Sequence, residues 1–189
     1  GQISSLELKD HLNYLGNSIN LIKSDNSSFD LDFTTKNGRK FNTKDQKFIS
    51  SLIDQGGVKK VSMKLVVSED VFIEYLYSIN INDYIIELDI NSRGFYNILD
   101  TTQKYNLNWE LSAFRNSKSI SYENRYSYMT YYHDEDKIDY LSISGDDEDE
   151  EDDVNWISFK QHFFSSVLIS ENSRPFKNVE LKSEDLVQE

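Results

Sequence analysis

Residues 154–170, VNWISFKQHFFSSVLIS, form the densest apolar and aromatic run in an otherwise polar chain of 189 residues. The run contains neither proline nor glycine, and it directly follows the consecutive acidic residues 146–153. Its large side chains recur every three to four positions, as on a helix, whereas Val167-Leu168-Ile169 is a short branched run that suits a buried strand. Of these two interpretations we favour the second, and we predict a strand, a bend near Gln161-His162 and another strand.

The overall composition also favours sheet over helix. The chain holds 11 Phe, 12 Tyr and 2 Trp but a single alanine, Ala113, and aromatic and β-branched residues are enriched in strands. Its length suits one domain with a core of useful size. We therefore predict a mainly β fold of antiparallel strands, about ten of them, with few short helices.

Alternation of apolar and polar residues locates several of these strands. Residues 29–33 alternate in this way, which predicts a strand with one wet face, and Asn37-Gly38 then supplies a tight hairpin turn. Residues 71–79 and 86–90 alternate as well. We predict that these two strands pair antiparallel across a turn at 80–83.

Charge and composition exclude several classes of function. A formal net charge of −13 at pH 7 repels phosphate backbones, so we expect no nucleic-acid partner. The absence of cysteine excludes disulfides and thiolate chemistry and leaves the compartment undecided. No run approaches the ~20 apolar residues of a membrane helix, and residues 1–20 do not resemble a signal peptide. Phosphate-binding, zinc and nucleophile motifs are missing too, so we predict no cofactor, metal ion or catalytic residue.

The acidic run 146–153 has two interpretations. Its oxygen ligands would suit calcium, but an ordered calcium loop needs acids interleaved with a glycine and closed by a glutamate, which this run lacks. Adjacent like charges also repel one another. We therefore predict a solvated, disordered hairpin loop.

The tyrosines within residues 120–132 also have two interpretations. They could form a platform that stacks on a sugar or a peptide, but aromatic pairs across strands are an ordinary way to stabilise a sheet face. We favour the structural role. Glu123 and Arg125, two residues apart, are predicted to pair on one face of a strand.

The three histidines, His11, His133 and His162, lie far apart without the spacing of metal ligands. His133 precedes the acidic residues 134–136, which could make a proton-transfer pair, but an exposed charged loop explains the pattern as well and we prefer it. We expect His162 to be a satisfied or edge histidine rather than a ligand.

Five pieces of the chain together resemble one known family. They are GQISSLELK (1–9), TKNGR (35–39), LNWEL (107–111), YENRY (122–126) and the run WISFKQHFFSSVLIS that follows the acidic residues. In this order they resemble signatures of the periplasmic domain of bacterial membrane protein insertases, the YidC family within the YidC/Oxa/Alb group. The resemblance spans nearly the whole chain.

The resemblance implies a β-supersandwich similar to that of galactose mutarotases, with residues 1–189 as a single periplasmic domain. The four aromatic residues Trp156, Phe159, Phe163 and Phe164 would then belong to its core. Because the chain begins at the Gly-Gln-Ile strand and ends at Glu189, we expect the sandwich to be incomplete at both ends.

The resemblance also implies a function. Members of the family help newly made membrane proteins to insert and fold in the inner membrane, alone or with the Sec translocon. The expected partners are therefore Sec components and nascent membrane proteins, reached through the full-length protein, which is anchored by membrane segments outside this chain. The domain itself would be a non-catalytic scaffold or docking module on the periplasmic face of the inner membrane.

Two alternatives stay open. One is a free-standing β-sandwich that binds carbohydrate or peptide through its tyrosine face. The other is a mutarotase-like epimerase, which needs an acid and a base facing each other. For that reaction the candidates are His133 or His162 with Glu87 or Glu110.

Overall fold

The computed structural model describes residues 1–55, 57–80, 83–134, 136–142, 145–171 and 174–184. In these ranges the chain forms fifteen strands and three short helical segments. The strands are β1 (Leu6–Leu12), β2 (Ser18–Ile22), β3 (Ser27–Thr34), β4 (Lys40–Asn42), β5 (Ile49–Gln55), β6 (Val58–Ser68), β7 (Val71–Asn80), β8 (Ile86–Arg93), β9 (Asn106–Leu111), β10 (Tyr128–His133), β11 (Lys137–Ser142), β12 (Asp147–Glu151), β13 (Trp156–Lys160), β14 (Ser165–Ile169) and β15 (Val179–Ser183). The helical segments are α1 (Ile120–Arg125) and two 3-10 helices, Thr43–Asp45 and Phe95–Asn97. The predicted mainly β class is confirmed, with more strands than expected.

The chain divides into two compact units. Unit 1 comprises Gly1–Ser4 and Ser24–Glu110, and unit 2 comprises Ser5–Lys23 and Leu111–Glu189. Each unit has its own apolar core. That residues 1–189 act as a single domain stays a prediction.

Unit 1 is built on the antiparallel sheet β5-β6-β7-β8, accompanied by the sheet β4-β3-β9. The buried side chains of its core are Phe33, Ile73, Tyr75 and Phe95. The predicted pairing of residues 71–79 with 86–90 is confirmed by β7 and β8. Within the turn predicted between them, residues 81–82 lie outside the described part of the chain.

The alternating pattern of residues 29–33 forms β3, as predicted, and a hairpin at Asn37-Gly38 leads into β4. Gly38 takes φ +77°, which a residue with a Cβ adopts only at a cost. The prediction that the polar face of β3 is exposed to solvent was wrong, because Asp30 on this face is only 3% exposed. The side-chain amides of Asn42 and Asn108 donate to its carboxylate over 2.7 and 2.9 Å and thereby replace water.

Unit 2 contains the sheet β11-β10-β13-β14 and the two-stranded sheets β1-β2 and β12-β15. The paired strands of these three sheets all run antiparallel. The buried core consists of Met129, Tyr131, Leu141, Val154 and Leu181. The strand, bend and strand predicted for residues 154–170 are confirmed, since β13 and β14 pair antiparallel around residues 161–164.

The predicted core role of the aromatic residues in this run holds in part. Phe159 packs against the core of unit 2, and Trp156 is half-buried and stacks on Tyr132 at a centroid distance of 6.1 Å. Phe164 is half-buried. Phe163, however, is 69% exposed, so the prediction was wrong for this residue. It lies in the bend between the two strands, where the alternation that directs side chains into the core no longer operates.

The acidic run does not form the disordered loop that its charge predicts, because most of it is strand β12, paired with β15. Side-chain contacts offset part of the repulsion between its carboxylates, and one of them joins the ammonium group of Lys177 to Asp153. The hydroxyl of buried Tyr131 donates to Asp149, and the ammonium group of Lys182 lies 3.6 Å from Glu148. Backbone pairing to a distant strand therefore outweighs a local charge pattern.

Candidate functional site

Unit 2 contains an open cleft of about 690 Å³, a volume in the range of ligand pockets. Most of its wall comes from three segments: the turn between β1 and β2, residues 114–119 before α1, and the bend between β13 and β14. The residues that line it are His11, Leu12, Asn13, Tyr14, Ile19, Asn116, Ser117, Lys118, Ser119, Tyr122, His162, Phe163 and Phe164. We call this feature the cleft.

The turn between β1 and β2 is shaped by its own sequence. The side-chain oxygen of Asn13 accepts hydrogen bonds from the backbone N–H groups of Leu15 and Asn17, over 3.0 and 3.1 Å. Gly16 follows with φ +82°. Asparagine side chains commonly hold turns in this way, and the turn leaves Leu12 and Leu15 well exposed beside the cleft.

Hydrogen bonds tie this turn and the bend to the segment 114–119. The backbone N–H of Tyr14 donates to the carbonyl of Asn116 over 3.1 Å. From the other side, the side-chain amide of buried Gln161 donates to the carbonyl of Phe114 over 2.7 Å. The walls of the cleft are therefore cross-linked to one another within unit 2.

Helix α1 contributes Tyr122 to the wall of the cleft, and its residue Glu123 ties the helix to the segment before it. Its N-cap is Ser119. The Glu123 side chain is buried, with 5% of the residue exposed, and its Oε2 accepts the backbone N–H of Ser117 over 2.5 Å. Among the described residues, its Oε1 has no hydrogen-bond partner.

The predicted pairing of Glu123 with Arg125 was wrong. The prediction assumed a strand, but residues two apart on a helix do not face each other. Arg125 instead places its guanidinium 5.4 Å from the ring centroid of Tyr122.

A continuous row of rings runs along the cleft. Phe163 stacks on His162 with centroids 4.0 Å apart, and His162 stacks on Tyr126 at 4.8 Å, with planes 13° apart. Tyr126 in turn lies 6.4 Å from Tyr122. We call these four residues the ring stack. Because Arg125 covers the Tyr122 end, the row carries a cation at one end and the exposed Phe163 at the other.

The cleft also differs in charge from the rest of the chain. The described residues that line it include Lys118 but no aspartate or glutamate. A further cation, Arg115, lies 4.8 Å from the ring centroid of Tyr14, and its Nε donates to the carbonyl of Ser117 over 2.9 Å. In a chain with a net charge of −13, this is a local basic environment.

The two interpretations of the tyrosines in residues 120–132 apply to different residues. Tyr122 and Tyr126 are 52% and 40% exposed and belong to the ring stack. Tyr131 is fully buried in the core, and Tyr132 pairs with Trp156 across two strands. Exposed tyrosines, which a platform would need, and tyrosines with a structural role therefore lie on either side of the junction between α1 and β10.

Sequence reasoning missed the segment 114–119 and the part of β1 that faces it. Tyr14 and His11 were not connected with any site, because their partners Asn116 and Phe164 lie a hundred residues or more away along the chain. One available signal was the pair Arg115 and Lys118, two basic residues close together in a strongly acidic chain.

The exposed loop predicted for His133 was wrong. The residue is 4% exposed, because β10 extends to His133 and places it on the same face as Tyr131. Its Nδ1 lies 3.1 Å from Oε2 of Glu151. In the described part of the chain neither ring nitrogen makes a hydrogen bond of good geometry. Glu135, part of the acidic segment next to it, lies outside the described residues.

His162 fits the predicted satisfied histidine, since its Nδ1 lies 3.3 Å from the hydroxyl of Ser117. The carboxylates considered for an epimerase have surroundings of their own. Glu110 accepts a hydrogen bond from the hydroxyl of Ser28 over 3.0 Å, and Glu87 is exposed on β8. The hydrogen bond from Ser28 gives Glu110 a structural role.

Two kinds of feature are absent from the described ranges. Within them, no three His, Asp or Glu side chains are grouped so that they could hold a metal ion. The helices found there are too short to cross a membrane.

Comparison with known proteins gives one consistent family. The model of the YidC periplasmic domain matches residues 1–189. The membrane protein insertase YidC of Bacteroides fragilis is 29% identical over 185 residues, which cover 97% of this chain and 29% of the relative. The insertase YidC of Azobacteroides pseudotrichonymphae is 26% identical, over 98% of this chain and 30% of its own length. The insertase YidC of Phocaeicola vulgatus is 30% identical, over 90% of this chain and 27% of its own length. The chain thus spans less than a third of the curated relatives it matches. No solved structure matches it significantly.

Proposed function

Since the chain belongs to the YidC periplasmic domain family, we propose that it is the periplasmic part of a membrane protein insertase in the inner membrane. The match of the family model to all of residues 1–189 carries this proposal. The full-length protein is anchored by membrane segments outside this chain and helps membrane proteins to insert and fold, alone or with the Sec translocon. The substrates of the whole protein are accordingly nascent membrane proteins.

Within that protein the domain acts as a non-catalytic scaffold or docking module. Insertion moves an apolar segment from water into lipid, and this step makes and breaks no covalent bond. The cleft and its exposed ring stack support a binding role, since clustered exposed aromatic side chains mark interaction sites. Holding a partner near the membrane raises its effective concentration there, to the millimolar range for a short flexible link.

Co-purification tests the role as a docking module. The full-length insertase carrying an affinity tag is isolated in mild detergent, and the Sec subunits are quantified by immunoblot. A matched control carries an unrelated β-sandwich of similar length in place of residues 1–189. We expect Sec subunits to co-purify with the native protein, and their recovery to fall clearly when residues 1–189 are replaced. Equal recovery from both proteins would show that the domain does not dock the translocon.

One observation favours a second candidate, a free-standing β-sandwich that binds carbohydrate or peptide. This observation is the ring stack, because sugars and peptides both pack on exposed aromatic faces. Translation of the gene on both sides of the chain separates the two candidates. Membrane helices on the two sides support the insertase, whereas soluble flanking sequence would favour the second candidate.

A further inference from the structure

We propose that the cleft of unit 2 binds an unfolded peptide segment that is acidic and carries a large aromatic or aliphatic side chain. This inference deepens the proposed function and rests on it, since it names the class of partner that the domain would dock. Ring surface, charge and preorganisation of the cleft support it separately.

The ring stack supplies the apolar part of the site. Phe163 is 69% exposed and Tyr122 is 52% exposed, yet both are held by stacked neighbours rather than left loose on the surface. An incoming aromatic or aliphatic side chain can bury area against these rings without first ordering them. Such contacts between rings contribute about 0.5–1.5 kcal/mol beyond area burial.

The charge of the cleft selects among peptides. Lys118 lies on its wall, and Arg115 and Arg125 stack on lining rings, whereas the lining contains no aspartate or glutamate among the described residues. Complementary charge steers partners toward a site and disfavours those of like charge. An acidic segment therefore fits this cleft, and a lysine-rich segment is repelled by it.

The walls of the cleft are fixed before a partner arrives. The backbone bond from Tyr14 to Asn116 and the side-chain bond from Gln161 to Phe114 join three segments that are distant in sequence. Glu123 anchors the same region through the N–H of Ser117. A preorganised site loses less conformational entropy on binding, so a short, flexible peptide can bind it measurably.

The proposed function explains why such a segment would be present. Lysine and arginine are enriched in the loops of membrane proteins that stay in the cytoplasm. Segments that reach the periplasmic side are therefore poorer in basic residues, and during insertion they are unfolded. Their aromatic residues, which favour the membrane interface, supply the side chains that the ring stack accepts.

Isothermal titration of the 189-residue chain tests the inference with defined probes. The first probe is a short blocked peptide that alternates Asp or Glu with Trp or Leu. The second replaces each acid with Lys, and the third is a neutral oligosaccharide. We expect the acidic peptide to bind, and the lysine peptide and the sugar to bind at least ~10-fold more weakly.

Two exposed substitutions locate the binding, each with a matched control. Lys118→Glu is compared with Lys59→Glu, which makes the same change in net charge on β6 in unit 1. Phe163→Ala is compared with Tyr105→Ala, since Tyr105 is a 73% exposed ring in unit 1. We expect Kd for the acidic peptide to rise about 5- to 10-fold with the cleft variants and less than ~2-fold with the controls.

Three results would overturn the inference: no binding of the acidic peptide, equal binding of the lysine peptide, or cleft variants that bind as tightly as their controls. Cleft-dependent binding of the oligosaccharide alone would assign the site to carbohydrate instead. If peptide binding fails while Sec co-purification still requires residues 1–189, the inference about the cleft is wrong and the docking function stands. If instead the acidic peptide binds the cleft but Sec subunits co-purify without residues 1–189, the cleft is a peptide site and the domain does not dock the translocon.

Discussion

The imidazole ring of His162 stacks on the phenol ring of Tyr126, with centroids 4.8 Å apart and planes 13° apart. This contact connects the bend between β13 and β14 to the C-terminal end of α1. It therefore joins the most apolar run of the chain to the one α-helix in the described residues, and the cleft lies beside the junction.

Replacing Tyr126 with alanine is expected to loosen this junction. Its ring contacts both His162 and Tyr122, so their loss should lower the free energy of unfolding by about 1 kcal/mol. Urea denaturation measures this change, and the His162 imidazole signals in NMR spectra should shift as well. Tyr105→Ala, which removes a 73% exposed ring, serves as the control. An equal loss in both variants would mean that the ring stack adds no stability.

Glu123 is expected to be more important as a hydrogen-bond acceptor than as a charge. Glu123→Ala leaves the N–H of Ser117 without its acceptor in a buried position and should cost about 1–3 kcal/mol. Glu123→Gln keeps an oxygen acceptor without burying a charge, so we expect a smaller loss. Thermal unfolding of the two variants at neutral pH compares them. A glutamine variant as unstable as the alanine variant would show that the negative charge itself is required.

The pKa of the Tyr131 hydroxyl is raised, first by burial, then by its hydrogen bond to Asp149 and by nearby negative charges. The folded state thus holds this proton at pH values where the unfolded chain releases it. Stability from this group is fully present below pH ~10, the ordinary tyrosine pKa, and falls as the pH rises further. Tyr131→Phe should lose about 1–3 kcal/mol at neutral pH because Asp149 loses a donor.

The same variant should then lose stability less steeply than the native protein above pH ~10. Urea unfolding at a series of alkaline pH values provides the comparison. The pKa values of Tyr75 and Tyr77 are also raised by burial, so part of the alkaline loss should persist in Tyr131→Phe. Parallel pH profiles for both proteins would contradict the role given to Tyr131.

Alanine substitutions at Gly94 and Gly38 distinguish the energetic cost of a positive φ from the cost of a steric clash. Their φ values are +66° and +77°, so alanine at either position should cost about 1–2 kcal/mol. At Gly94 the added Cβ would also lie 2.5 Å from the carbonyl oxygen of Asp70, whereas space is open at Gly38. Gly94→Ala should therefore be clearly the more destabilising substitution in thermal unfolding. Equal costs would indicate that the backbone near Asp70 moves aside freely.

Much of the fold follows from local sequence because side chains of a strand alternate between its two faces. That alternation identified β3, β7 and β8, and the bend of the run 154–170 was located from its polar centre. The family resemblance, which rested on five short motifs, is confirmed by the match over the whole chain.

Other features depend on contacts that local sequence does not encode. Strand β12 forms because its backbone pairs with β15, which lies almost thirty residues further along the chain. The burial of His133 depends on the same packing, since Glu151 of β12 lies 3.1 Å from its Nδ1. Helix α1 interrupts a β-rich chain for only six residues, too few for a periodic pattern.

The cleft could be predicted least of all. Three segments distant in sequence converge on it, and their contacts are set by tertiary packing. Its basic character is nevertheless present in the sequence as Arg115 and Lys118, in a chain that is otherwise rich in acids.

Photo-crosslinking during insertion tests most directly the central claim, that the cleft of unit 2 receives a segment of the nascent membrane protein. A photoreactive phenylalanine replaces Phe163 in the full-length protein, and another replaces Tyr105 as an equally exposed control. Membrane vesicles containing either protein then receive a radiolabelled nascent membrane protein. We predict an adduct between position 163 and the nascent chain that appears during insertion, and little adduct from position 105. The absence of an adduct at 163, or equal yields at both positions, would contradict the account.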